Sequence, residues 1–237
     1  MSYDNYEVID QQQDVMSLSR SFFASVYKYM FLALAVTGFM AWYAAQSDWY
    51  LPMMFTESGM SGTGWVVTLA PLGLVLLISS RFRKMSSAMI TVIFVLYSVL
   101  LGLALAWIFL VYTSSSIAVT FFVTAGAFGS MALLGYFTKT DLSKMGSLMY
   151  MLFIGMFIAG LANMMIGSDT IGYVISFMGL FVFTGLTAWE MQRMKTVAAD
   201  TSISIEDRKK HELMGGLTLY ILFVNLFMSI LSFTGDR

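Results

Sequence analysis

An all-α integral membrane protein, a seven-transmembrane-helix bundle with the last helix central, is the fold class this sequence predicts, and three observations predict it. Fifty-eight per cent of residues are hydrophobic and only 11 per cent charged, against roughly 25 per cent charged in a soluble domain. The mean hydropathy of +0.77 agrees. Apolar runs of about 20 residues, the length that crosses a ~30 Å hydrocarbon core, recur along the chain. The cations fall almost entirely between alternate pairs of those runs, as the positive-inside rule requires. Helices of that length consume the chain as a single bundle, so one domain, 20–237, follows a short tail.

The tail, residues 1–19, holds Asp4, Glu7, Asp10, Asp14 and three consecutive glutamines with no Lys or Arg. It reads as a disordered, acidic, cytoplasmic segment. A signal peptide needs a basic n-region before an apolar h-region, and neither is present, so the first helix is expected to stay as an anchor. That helix is predicted over about 21–45, with Ala33, Thr37, Ala41 and Ala45 forming a small-residue stripe of the kind that lets helices approach closely in lipid. Residues 46–63 carry Asp48, Trp49, Tyr50, Pro52, Phe55 and Glu57. They are too short and too interrupted to span, and they suit an interfacial loop on the non-cytoplasmic side.

Helix two is predicted over about 64–80, with Pro71 tolerated inside it. Arg81, Arg83 and Lys84 stop it. Helix three is a continuous run over about 87–112, with Trp107 and Tyr112 near its far end. Helix four, about 117–137, has Gly126 and Ser130 four apart, and Asp141 beyond it stands where it can cap the next helix. Helix five covers about 146–166 and carries Gly155, Ala159 and Asn163. Helix six, about 170–189, sets Thr184, Thr187 and Glu190 at intervals of three, nearly on one face. Residues 191–212 read as a polar loop, and helix seven follows over about 213–233. Its Thr218, Asn225, Ser229 and Ser232 fall at steps of seven, four and three. A lipid-facing helix would not carry that line, so this helix is expected inside the bundle.

The topology follows from the cations. Arg20, Lys28, Arg81, Arg83, Lys84, Lys139, Lys144, Arg193, Lys195, Arg208, Lys209 and Lys210 fall on one side and Arg237 on the other. The amino terminus is therefore expected in the cytoplasm and the carboxyl terminus outside.

Glu190 is the one acid set against a long apolar run. A charge at the bilayer centre costs roughly 2.5–3.5 kcal/mol on insertion scales, which makes such a residue a functional candidate. The competing reading is that Glu190 ends its helix, snorkels to water and pairs with Arg193 or Lys195. Thr187, Thr218 and Asn225 are the polar groups of helices six and seven expected to accompany Glu190 inside the bundle. Arg81, Arg83 and Arg193 are its candidate charge partners.

No catalytic motif is present. There is no GxxxxGKS loop, no HExxH and no Ser, His and Asp set, since the single histidine, His211, lies in the stretch read as loop. The protein is not expected to be an enzyme, and neither a cofactor nor a metal site is expected. With no cysteine there is no thiolate site. The 21 methionines are scattered rather than facing one another and read as flexible core filling, not copper ligands. The basic clusters at Arg81 and Arg208 are topogenic and lipid-headgroup charges, and no nucleic-acid surface is expected.

Gly135-Tyr-Phe-Thr-Lys-Thr-Asp-Leu-Ser-Lys-Met-Gly146 and the apolar run after it, Arg20-Ser-Phe-Phe-Ala-Ser-Val-Tyr27, and Leu219-Tyr-Ile-Leu-Phe-Val-Asn-Leu-Phe227 together resemble the Bax inhibitor-1 (TMBIM) family over about 20–233. The resemblance implies a last helix surrounded by the other six and, in several members, a pH-sensitive calcium leak gated by two aspartates that share a proton. Here the first of those positions is Glu190 and the second is Leu222, so the pair is incomplete. That departure resembles the bacterial YccA-type branch, whose members are associated with the membrane AAA protease FtsH. Two functions are thus implied for a multi-pass protein of the bacterial inner membrane. One is a pH-sensitive calcium or other cation leak centred on Glu190, with Thr187, Thr218 and Asn225 the candidates for its ion path, and the other is a modulator of FtsH engaged through the acidic tail.

Overall fold

The computed structural model describes residues 3–57 and 59–236. Helix α1 covers Tyr3–Ala45 and α2 covers Tyr50–Met54; β1 (Phe55–Thr56) pairs antiparallel with β2 (Gly59–Met60). Then follow α3 (Gly62–Arg81), a 3₁₀ turn over Phe82–Lys84, α4 (Ser87–Leu105), α5 (Ile108–Val111), α6 (Ser114–Phe137), α7 (Ser143–Ile166), α8 (Asp169–Ala199) and α9 (Ile205–Thr234). Among the described residues seven helical segments are long and apolar enough to span a membrane, with α4 and α5 together making the third.

Four elements differ from the sequence expectation. The acidic segment read as disordered is helical from Tyr3 onward and continuous with the first span. No Gly or Pro interrupts it, and extending a helix already nucleated by an anchored span fixes one residue per added bond. The segment 46–63 holds a short helix and a two-residue hairpin rather than an open loop. Helix three is broken at Ala106, where i−3 bonds from Ala106 to Leu103 (3.4 Å) and from Phe109 to Ala106 (3.1 Å) tighten the ladder. The largest change is in the polar stretch 191–212, which is almost wholly helix: α8 runs on to Ala199 and α9 starts at Ile205. Its Met, Gln, Arg, Lys, Ala and Glu residues are good helix formers, and charge there punctuates depth in the membrane, not secondary structure. His211 accordingly sits on α9, its ring 5.3 Å from that of Phe82, not in a solvated loop.

The chain divides into two compact units. One comprises Phe23–Tyr112 and Ser202–Leu217. Here α1 meets α4 where Gly102 faces Thr37 and Met40, a Cβ on Gly102 lying 2.7 Å from the Thr37 carbonyl oxygen. The Thr37 hydroxyl donates to the Ser98 carbonyl across the same contact at 2.9 Å. Gly216 brings α9 equally close to Val26 and Tyr29 of α1. Ser61 caps α3 by accepting from Gly64 N–H at 2.9 Å and donates its own hydroxyl to the Met53 carbonyl. The Glu206 carboxylate accepts from Ser87 N–H at 3.0 Å, tying the start of α9 to the start of α4.

The other unit comprises Met1–Phe22, Thr113–Thr201 and Thr218–Arg237. In it α8 packs against α6 and α7, and glycines mark the closest approaches: Gly135 of α6 on Ala188, Gly146 of α7 on Trp189, and Gly179 of α8 on Ser229 of α9. Asp236 N–H donates to Ser116 Oγ at 2.9 Å and binds the end of α9 to the start of α6. Gly167, at φ 69°, closes α7 in the left-handed region that glycine favours. Helix α9 contributes to both units and is the most buried of the seven spans, at 56 per cent of its apolar window, whereas that of α7 is wholly unburied. The exposed apolar side chains of α7, such as Met151, Ile158 and Met165, present a lipid-facing surface.

Candidate functional site around Glu190

The continuation of α8 to Ala199 changes what Glu190 is. It is not a helix-end acid, since nine further helical residues follow it. Nor does it snorkel, for only 5 per cent of it is exposed. Its carboxylate is held by one guanidinium in two parallel bonds, Arg193 Nε to Oε2 at 2.6 Å and Arg193 Nη2 to Oε1 at 2.7 Å. This fork-to-fork geometry is the strongest way for a side chain to engage a carboxylate. The Arg193 side chain is 58 per cent exposed, so the pair has a dry end and a wet end. The guanidinium also lies 5.5 Å from the Trp189 ring centroid, within cation–π range. Arg81 and Arg83, the other candidate partners, are exposed residues at the end of α3 and in the turn after it, in the other unit. The observed ion pair of Glu190 is with Arg193.

The surroundings of Glu190 are fixed by its neighbours in sequence. Ala188 takes the backbone of Gly135, and the Trp189 indole lies on Gly146, where any side chain would overlap it. Trp189 also meets Tyr150 edge to face at 5.9 Å. Gln192 spans the gap to the α6–α7 connection, accepting from Leu142 N–H and donating to the Thr140 carbonyl, both at 2.8 Å. Lys195 donates to the Tyr136 carbonyl at 2.9 Å. One turn of α8 on either side of Glu190 is therefore clamped to α6 and α7 through backbone groups. Gln192 was not singled out by sequence reading, and a glutamine in a stretch read as loop carries no signal that would have done so.

The two polar stripes behave differently from what their spacing implied. Thr187 is fully buried, but its hydroxyl donates to the Phe183 carbonyl at 2.7 Å within its own helix, and Thr184 donates to Leu180 at 2.6 Å. On α9, Asn225 Nδ2 donates to the Ile221 carbonyl at 2.8 Å and Ser229 Oγ to the Asn225 carbonyl at 2.9 Å. The threonines bond to their own backbone, and among the described residues no hydrogen bond links them across the helices.

The contact of Gly179 with Ser229 sets the antiparallel register of α8 and α9. Counting from it, Glu190, eleven residues after Gly179, lies level with Thr218, eleven before Ser229. Leu222, buried at 6 per cent exposure, stands about one turn, ~6 Å, from that level. Asn225 is about 10 Å away along the axis. By that count Thr187 and Thr218 stand near the level of Glu190 along the axes, and Asn225, about two turns off, lines a separate cavity. Among the described residues no group of three or more His, Asp or Glu converges, so Glu190 stands as a single paired acid.

Comparison with known proteins is consistent along almost the whole chain. Residues 19–237 match the family described as inhibitor of apoptosis-promoting Bax1. The Escherichia coli K12 inner membrane protein YbhL is 40 per cent identical over 219 residues, covering 92 per cent of each chain. A protein of Rickettsia prowazekii is 36 per cent identical over 221 residues, 92 per cent of this chain and 90 per cent of that one. One from Borreliella burgdorferi is 35 per cent identical over 229 residues, 97 per cent of each. With seven candidate spans among the described residues, a predominantly helical fold and a family match over residues 19–237, this chain is a multi-pass membrane protein belonging to the Bax inhibitor-1 family.

Proposed function

We propose that the protein is a proton-gated leak for calcium or another cation in the bacterial inner membrane, not an enzyme, with Glu190 as its intramembrane acid. The observation that carries this reading is the bidentate Glu190–Arg193 pair, buried at the acid and exposed at the base, midway between two backbone clamps of α8. Only the ionised carboxylate accepts both guanidinium bonds. When a proton adds to Glu190 one acceptor becomes an O–H donor, the fork loses its partner, and Arg193 is released to water. In this reading the intact fork closes the path at the level of Thr218, and its release, which turns a net-neutral pair into a neutral acid and a mobile cation at the rim, opens it. Family members that share a proton between two acids use a second carboxylate. With Leu222 in that place, Arg193 takes the role of the group that Glu190 answers to.

The test is calcium flux from liposomes containing the purified chain, read by an enclosed indicator over a pH series. The leak is expected to depend on pH in the parent, to lose that dependence in Glu190→Gln, and to sit at the released-state rate at all pH values in Arg193→Ala. A parent that passes no calcium, or a pH response that survives Glu190→Gln, sinks the proposal.

A second reading is favoured by one observation. Helix α1 starts at Tyr3, well ahead of the apolar run of the first span, so residues 3–19 make about 25 Å of helix at 1.5 Å per residue. Such an arm on the cytoplasmic side, where the cation count places the amino terminus, is a handle for a membrane AAA protease such as FtsH. Deleting residues 2–15 is expected to leave the spans folded and to end co-purification with that protease. Unchanged co-purification removes the arm from consideration.

A further inference from the structure

Seven residues along α8 from Glu190, about 10 Å by helical rise, the same unit holds a cavity of about 220 Å³ between α7, α8 and α9. One side of it is aromatic. Phe153 and Phe183 meet there edge to face with centroids 6.0 Å apart, Phe157 extends the wall, and the thioethers of Met156 and Met228 border it. Polarizable sulfur beside ring edges is a favourable surround for another ring.

The other side is a line of uncharged polar groups: Asn225, Ser229 and Ser232 from one face of α9, and Ser176 from α8. Their donors and acceptors are unequally used. The Asn225 amide donates to Ile221 and the Ser229 hydroxyl donates to Asn225, at 2.8 and 2.9 Å. Asn225 Oδ1 accepts from no described residue, and the hydroxyls of Ser176 and Ser232 have no described partner. Asn225 Oδ1 is thus an open acceptor on the cavity wall, with no described donor on it. No charged side chain lines it, so an ionic occupant would lose its hydration without recompense.

Size and access narrow the occupant. An apolar cavity of about 150 Å³ takes one benzene, so this one takes a single ring with short alkyl substituents. The α7 wall faces lipid, with Ile154 and Ile158 exposed on either side of Phe157, so a molecule dissolved in the bilayer reaches it without crossing water. We propose that this cavity is a binding site for an uncharged, lipid-soluble molecule with a ring body and one hydrogen-bond donor, in chemical class an alkylated phenol, seated with its O–H on Asn225 Oδ1 and its ring against Phe153, Phe157 and Phe183. The site is independent of Glu190 and of the leak proposed above.

The experiment is photolabelling of the full chain in lipid nanodiscs with a diazirine-bearing dialkylphenol, the adducts mapped by mass spectrometry. Label is expected on the segments 153–157 and 225–232, displaced to background by excess unlabelled dialkylphenol. The dialkylbenzene of the same shape, which lacks the hydroxyl, should compete about five- to tenfold more weakly, the size of one neutral hydrogen bond. Asn225→Leu should weaken the phenol by a similar factor and leave the dialkylbenzene unchanged, and Ser176→Phe should fill the cavity and remove the label. If Ser176→Phe does not fold, the phenol-to-benzene ratio in Asn225→Leu still decides. Label spread without saturation over lipid-facing Met151, Ile158 and Met165, equal competition by the two compounds, or labelling unaffected by a folded Ser176→Phe would each overturn the assignment.

Discussion

Removing Arg193 should harm this protein more than neutralising Glu190, although Arg193 is the more exposed of the two. Arg193→Ala strips both bonds, of 2.6 and 2.7 Å, from a carboxylate that is 6 per cent exposed at the side chain and leaves it ionised in a dry setting. Breaking a buried pair in this way costs about 3–5 kcal/mol. Because the arginine is 58 per cent exposed, water enters the vacated space and recovers part of that, so about 2 kcal/mol is the reasonable figure after screening is allowed for. The lost contact with Trp189 adds less than about 1 kcal/mol. Glu190→Gln keeps a carbonyl acceptor of the same shape and leaves Arg193 half in water, which should cost under about 1 kcal/mol. The double variant should be more stable than Arg193→Ala alone, since the stranded charge is gone. At about 2–4 °C per kcal/mol for a chain of this size, Arg193→Ala should lower the melting temperature by about 4–8 °C. Thermal unfolding in detergent micelles at neutral pH, followed by tryptophan fluorescence, measures it. If Glu190→Gln melts as low as Arg193→Ala, or the double variant shows the sum of both losses, the carboxylate is not stranded by loss of the arginine and the reasoning fails.

Three further outcomes follow from particular contacts. Gly135→Ala puts a Cβ into the backbone of Ala188, 2.7 Å from its Cα, whereas Gly126→Ala on the same helix meets nothing within 4 Å; the first should destabilise by about 1–3 kcal/mol and the second should be neutral or slightly stabilising, and equal melting temperatures would refute the α6–α8 approach. The Asp141 carboxylate, bonded by the hydroxyl and backbone N–H of Ser143, is held below the usual aspartate range. A depressed folded value contributes stability that is present above the unfolded value and is lost as pH falls through the folded one. Protection factors of the amides in the first turn of α7, that is exchange rates corrected for the intrinsic pH dependence, should therefore fall below about pH 4, those in the middle of that helix staying unchanged. For topology, cysteine introduced by Glu57→Cys should react with an impermeant thiol reagent from outside intact cells and by Ser204→Cys only after permeabilisation; the reverse pattern inverts the orientation read from the cations.

How much of this was legible in the residue order depends on which kind of force decides each feature. The seven spans were legible because hydrocarbon transfer adds up locally: any run of about 20 apolar residues reports its own burial. The polar line on α9 was legible for the same reason, and the most buried span is indeed the one that carries it. The special place of Glu190 could be seen because one acid against an apolar run is a local exception. What the chain alone did not disclose is how far the helices reach. Residues 191–199 and 205–212 are polar enough to end a span, but the end of a span is not the end of its helix, since backbone hydrogen bonding continues in water or headgroups once a helix is anchored.

The Glu190–Arg193 pair is local: the spacing of three offers it in the sequence, and the continued turn of α8 makes it by setting both side chains on one face. Partner choice between helices was decided only by the tertiary arrangement. Thr184 and Thr187 have the spacing of an interhelical stripe, yet each hydroxyl takes a carbonyl one turn back, a choice invisible to spacing because the same face serves both. Gln192 reaches Thr140 and Leu142 across about fifty positions of sequence, and the cavity at Asn225 draws its walls from three helices. The sequence by itself determined which segments enter the membrane, since that energy is a sum over neighbours along the chain. Which polar groups meet there was left to packing, because in lipid every backbone is already satisfied and close approaches such as those at Gly102, Gly135, Gly146, Gly179 and Gly216 select one arrangement of helices over another.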